Sequence, residues 1–184
     1  MIILEIWSKT LLISYRLLGL AVDRIDSLVK KISINSMFYN KKASSSTMSQ
    51  IERLIEFNDK KVNLTNLKVL TEECMETLSA KELEVVSLLY IDGLAIEEVA
   101  QTLGVSIRTV FRRKKKAIES FSRALNNKTS RKYLLENYTE EQWLMDIYNY
   151  NASKSGEDVI LTEDDNCVSV DSMFKAMKEL NASI

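Results

Sequence analysis

Apolar side chains recur at three- and four-residue steps through most of this chain. Leu11, Leu18, Val22, Ile25, Leu28, Val29 and Ile32 follow that rhythm with charged residues between them, predicting one long helix over residues 5–34. The rhythm stops at the serine run of Met37–Thr47, which reads as a loop. Ser49 with Glu52 three residues on forms a capping-box pattern, and Ile51, Leu54 and Ile55 supply the apolar face of the helix it would open. Leu64, Leu67, Leu70, Cys74 and Leu78 make the next stripe, which places Cys74 in a core rather than at a reactive surface. A second capping box, Ser79 with Glu82, opens a helix through Ile91 with Leu83, Val86, Leu89 and Tyr90 inward. Asp92-Gly93 ends it, because glycine accepts the left-handed conformation at a helix C-terminus. Near the end, Thr139 with Gln142 predicts a capped helix carrying Trp143, Leu144, Ile147 and Tyr148 on one side. Asn151–Val170 is polar and acidic and reads as a flexible linker, and Asp171–Leu180 as a short helix presenting Phe174 and Met177.

Composition narrows this picture to an all-α protein. The 184 residues include no proline and only four glycines, too few to furnish the turns of a sandwich or barrel. Histidine is absent, which removes Ser-His-Asp and Cys-His catalysis and every His-containing zinc site. The cysteines, Cys74 and Cys167, are far apart in sequence and require no disulfide, which fits a reducing cytoplasm. Glu5, Lys9 and Arg16 interrupt the apolar start, so no membrane span or signal peptide is expected. No cofactor is expected, and an enzyme is the weakest reading.

The net charge of −1 conceals a segregation of charge. Residues 108–132 hold ten Lys or Arg and a single acid, Glu119, whereas residues 133–184 hold eleven acids and three bases. A basic block of this density inside a neutral protein points to an anionic partner, nucleic acid first.

The block sits on a recognisable pattern. Apolar Val99, small Ala100, apolar Leu103, then Gly104, Val105, Ser106 and apolar Val110 are the spacing of a helix-turn-helix. Ala100 allows two helices to cross closely, Gly104 turns the chain, and Ser106 caps the second helix. At 100° per residue, Val110, Ala117, Phe121 and Leu125 share one side of that helix, with Ile118 beside them. Arg108, Arg112 and Lys115 share the opposite side, flanked by Thr109 and Lys116. Ser106, Arg108, Thr109, Arg112, Arg113, Lys115 and Lys116 are therefore the candidate DNA-binding residues. Arginine can pair with guanine O6 and N7, and threonine can touch a thymine methyl. Lys114, Lys115, Lys116 and Arg123 are assigned to phosphates, and Arg113 is expected to pack its stem while its charge reaches the backbone.

Leu78–Leu125 resembles the fourth-region domain of bacterial sigma factors. The resemblance is carried by the Leu78-Ser79 opening, the Ile91-Asp92-Gly93-Leu94 junction and the Glu97-x-x-Ala100-x-x-Leu103-Gly104-Val105-Ser106 segment. It implies a small helical domain that binds promoter DNA through its last helix and contacts RNA polymerase. The long helices ahead of it make the layout similar to phage and prophage sigma-like transcriptional regulators. Ala95 departs from the family, which usually has a capping Ser or Thr there. The first 75 residues carry no match to a promoter-melting region, so an activator or partial sigma-like subunit is expected.

The expected organisation is a helical arm at 1–60, serving as a hairpin or oligomerisation element, a helix-turn-helix domain at 61–130, and an acidic, partly flexible extension at 131–184. The expected partners are double-stranded DNA, RNA polymerase and, through the arm, a second copy in a homodimer, with no membrane. The function expected is a sequence-specific, sigma-like regulator at promoters. The alternatives are a phage DNA-packaging or recombination accessory protein and a protein-interaction module.

Overall fold

The computed structural model describes residues 2–38 and 47–154, and among these every regular element is helical. Seven α-helices and one π-helical turn follow in order: α1 Ile2–Phe38, α2 Thr47–Met75, α3 Ala80–Val86 running into the π turn Ser87–Ile91, α4 Ile96–Leu103, α5 Ile107–Lys128, α6 Arg131–Tyr138 and α7 Gln142–Ser153. The protein is all-α. No helix among the described residues is long and apolar enough to cross a membrane. The expected linker beyond Lys154 and the helix at 171–180 with Phe174 and Met177 lie outside the described residues.

The described chain divides into two compact units, one of residues 18–69 and one of residues 2–17 with 70–154. In the smaller unit, Leu18, Ala21, Ile25, Leu28 and Ile32 are buried on α1, and Phe57, Leu64 and Leu67 on α2. Lys61 of α2 lies 2.6 Å from Asp26 of α1. Two expectations for α2 are corrected here. The helix begins at Thr47, so Ser49 is already inside it and does not cap it. Ile51 and Ile55 are exposed, and Phe57 takes the core position instead. Helix α1 likewise continues through Met37 and Phe38, residues expected in the loop.

In the larger unit the start of α1 packs with α7. Trp7 and Tyr148 bring their ring centroids to 4.9 Å, and Asn151 Nδ2 donates to Thr10 Oγ1 at 3.1 Å. The buried Thr10 and Ser14 hydroxyls donate to the carbonyls of Ile6 and Leu11, so both O–H donors are satisfied within α1. Asn151 is thus a buried helical residue rather than the start of a linker. Glu141, not Thr139, stands at the N-cap position of α7, with no side-chain cap bond, and Thr139 instead closes α6. Cys74 is buried as expected, and burial pushes its thiol up to about 11, against a smaller opposing pull from Lys128.

The face of α3 differs from expectation by one position. Glu82, Val85, Val86, Leu89 and Tyr90 are buried, while Leu83 is exposed. The capping box explains the shift. Glu82 turns inward to accept from the Ser79 N–H at 2.9 Å and its hydroxyl at 2.8 Å, and the buried row continues from there. The π turn ends with the Leu94 N–H bonded to the Leu88 carbonyl, and Gly93 at φ 74 makes that closure possible.

Candidate nucleic-acid interface

Three local devices set the position of α5. Helix α4 starts at Ala95, whose N–H donates to the Glu98 carboxylate at 2.8 Å, half of a capping box. Alanine has no side-chain acceptor, so the reciprocal half is missing. At the other end Gly104 adopts φ 62, ψ 33, and the Val105 N–H reaches back to the Ala100 carbonyl at 3.0 Å. Ser106 then caps α5: its Oγ accepts from the Thr109 N–H at 3.3 Å and lies 2.9 Å from Thr109 Oγ1. Ile96, Val99 and Ala100 of α4 are buried, as are Val110, Ala117, Ile118, Phe121, Ala124 and Leu125 of α5. Leu103 and Val105 are half-buried. The apolar side of α5 is the one expected.

The opposite side of α5 gathers the cations. Arg108, Thr109, Phe111, Arg112 and Lys115 line one open depression of about 530 Å³. Four of the seven candidate residues are thereby brought together. Of the other three, Ser106 stands at the helix cap, Arg113 is half-buried, and Lys116 is exposed with its ammonium 3.6 Å from Glu82. Phe111 joins this face although it is not among the expected DNA-binding residues. Three residues after Arg108 and four before Lys115, it belongs to the same face by angle alone.

Lys114 corrects the phosphate assignment, because its side chain is buried. At four residues after Val110 and three before Ala117 it falls within the apolar stripe, and the run of like charges disguised that.

The cations of α5 divide by position along the helix. From Lys116 onward they are engaged within the protein: Lys116 with Glu82, Arg123 with Ser120 Oγ and the Glu119 carbonyl, and Lys128 with Glu73 at 2.8 Å. Toward the N-terminal half, Arg108, Arg112, Arg113 and Lys115 have no ion-pair partner among the described residues. Glu82 anchors this division. Burial alone would raise its carboxyl, but hydrogen bonds from Ser79, the Lys116 charge and the Ser120 hydroxyl outweigh it and hold the group below the usual carboxylate range. Among the described residues no group of His, Cys, Asp and Glu side chains is arranged to hold a metal ion.

Residues 68–120 match the family model described as Sigma-70, region 4. No curated protein and no solved structure matches the chain. The matched segment runs from the second half of α2 into α5 and contains all of α4, the turn and α5 as far as Ser120.

Proposed function

We propose that the sigma region 4-like helix-turn-helix domain of this chain, a DNA-binding regulatory module, reads specific duplex sequences through the outer face of α5 and acts at promoters beside RNA polymerase. One observation carries the reading: among the described residues Arg108, Arg112 and Lys115 have no ion-pair partner, and they share an open depression with Thr109 and Phe111 on the helix that follows the left-handed turn at Gly104. Cations held this way keep their charge for phosphates and base edges. Arg108 and Arg112 stand one helical turn apart, suited to neighbouring base pairs in a major groove. Lys115 lies a further turn along, where a phosphate contact adds affinity without specificity.

The promoter assignment adds one element, that this chain does not open DNA by itself. Its first 75 residues match no strand-melting segment, so polymerase core with this protein alone is expected not to initiate at a target promoter. Robust initiation from that mixture would restore the reading of a complete sigma factor. The base-reading assignment is tested by substitution. Arg108→Ala and Arg112→Ala should each weaken the preferred sequence by about 1–3 kcal/mol and relax preference at one base position, while Lys115→Ala should weaken all sequences alike. If the three variants lose equally on preferred and random duplexes, the groove orientation is wrong. Genome-wide mapping of bound sites separates a promoter regulator from a packaging or recombination accessory protein, since only the first concentrates its sites at promoters.

A further inference from the structure

Helix α2 buries one side and leaves an apolar stripe on the other. Met48 is 65 % exposed, Ile51 47 %, Ile55 57 %, Val62 47 % and Val69 45 %. Buried Phe57, Leu64 and Leu67 lie on the other side of the same helix. Four of the exposed residues, Met48, Ile55, Val62 and Val69, recur at intervals of seven, and Ile51 fits the position three after the first. Scattered exposed apolar residues are ordinary on a protein surface, but a heptad row of them over roughly 30 Å of helix is the pattern of a coiled-coil seam.

We propose that this stripe is the seam of a parallel, in-register two-stranded coiled coil with a second copy of the same chain. Two features select that occupant and that orientation. Ile55 and Val62, with Val69, place β-branched side chains at the seven-residue positions, which favours two strands in parallel. The alternate seam positions after Ile51 are Asn58 and Thr65. A parallel pair stacks Val62 on Val62 and Asn58 on Asn58, and a polar layer meeting itself fixes the register. An antiparallel pair would instead set apolar residues against Asn58 and Thr65 and leave the apolar layers unmatched.

This seam is independent of the DNA reading, and its test needs no DNA. Sedimentation equilibrium of the full chain at micromolar concentration is expected to give a dimer. Ile55→Glu with Val62→Glu should weaken self-association at least about a hundredfold by placing like charges in the apolar layers. Both positions are exposed in the single chain, so helicity by circular dichroism should be retained. Orientation is read by cross-linking in a chain carrying Cys167→Ser, with Cys74 shielded by its burial. Met48→Cys and Val69→Cys should each form a disulfide with its own copy under mild oxidation. A monomer at all concentrations, a dimer unaffected by the glutamates, or cross-linking only when the two cysteine variants are mixed would each overturn the proposal.

Discussion

Helices α2 and α5 are both two-sided, and they differ in what they leave on the outer side. Helix α5 covers its core face with Val110, Ala117, Phe121 and Leu125 and leaves arginine and lysine outward. Helix α2 covers Phe57, Leu64 and Leu67 and leaves methionine, isoleucine and valine outward. Burial of the inner face explains why each segment is a helix, and it is nearly silent on purpose. The outer face carries the functional information: cations with no ion-pair partner among the described residues ask for an anion, and an apolar heptad row asks for another helix.

The sharpest way to break this comparison is to exchange the faces of one helix by mutation. Phe121→Ala empties a fully buried site and should destabilise the domain by about 3–5 kcal/mol in chemical denaturation. Arg112→Ala, on the opposite face, should change stability by no more than about 0.5 kcal/mol while weakening DNA binding. A large stability loss in the second variant would mean that Arg112 is structural.

The next effect concerns Glu82, which joins α3 to the basic helix through Lys116 and Ser120. Its carboxyl is held lower in the folded protein than in the unfolded chain, so the unfolded chain takes up the proton first as pH falls. Its contribution to stability is therefore complete above the ordinary carboxylate pKa of about 4.3 and is lost on acidification through the lower folded value. Denaturation midpoints measured from neutral pH downward should show a steep acid loss, and Glu82→Gln should flatten it and lower stability at neutral pH by about 1–3 kcal/mol. An unchanged acid profile in Glu82→Gln would remove the anchor.

These contrasts also show what was legible in the residues alone. The inner side of α5 was readable because its apolar residues sit within a narrow arc and no other period competes. Lys114 shares the angle of the buried apolar row, and the run of cations around it masks that position. The α2 stripe was readable as a stripe, but periodicity does not say which of two apolar faces is covered, and Ile51 and Ile55 were assigned to the wrong one. Helix α6 went unnoticed because its eight residues bury only Leu134 and Tyr138. The pairing of Lys116 with Glu82 joins residues more than thirty positions apart, and no local spacing announces it. Phe111 falls on the cationic face by angle, but its apolar side chain carries no charge signal among its neighbours.

Smaller effects sharpen the turn that aims α5. A Cβ added at Gly104 meets nothing within 4 Å, so Gly104→Ala carries only the strain of a left-handed backbone, about 1–2 kcal/mol. A greater loss would indicate that the turn tolerates no relaxation. Ala95→Ser should complete the half-formed capping box of α4 and stabilise the domain by about 0.5–1 kcal/mol, read as a raised melting temperature. No gain there would show that the Glu98 bond alone already satisfies the helix start.

The central claim is that the outer face of α5 binds duplex DNA through cations that have no ion-pair partner among the described residues. Fluorescence anisotropy of a labelled duplex, titrated with the full chain between 50 and 200 mM salt, tests it most directly. With about six phosphates contacted, affinity should fall about a thousandfold across that range, and Arg108→Ala with Arg112→Ala should lower both the affinity and the salt slope. Binding that is absent at 50 mM salt, or that ignores both salt and the two substitutions, would contradict the account.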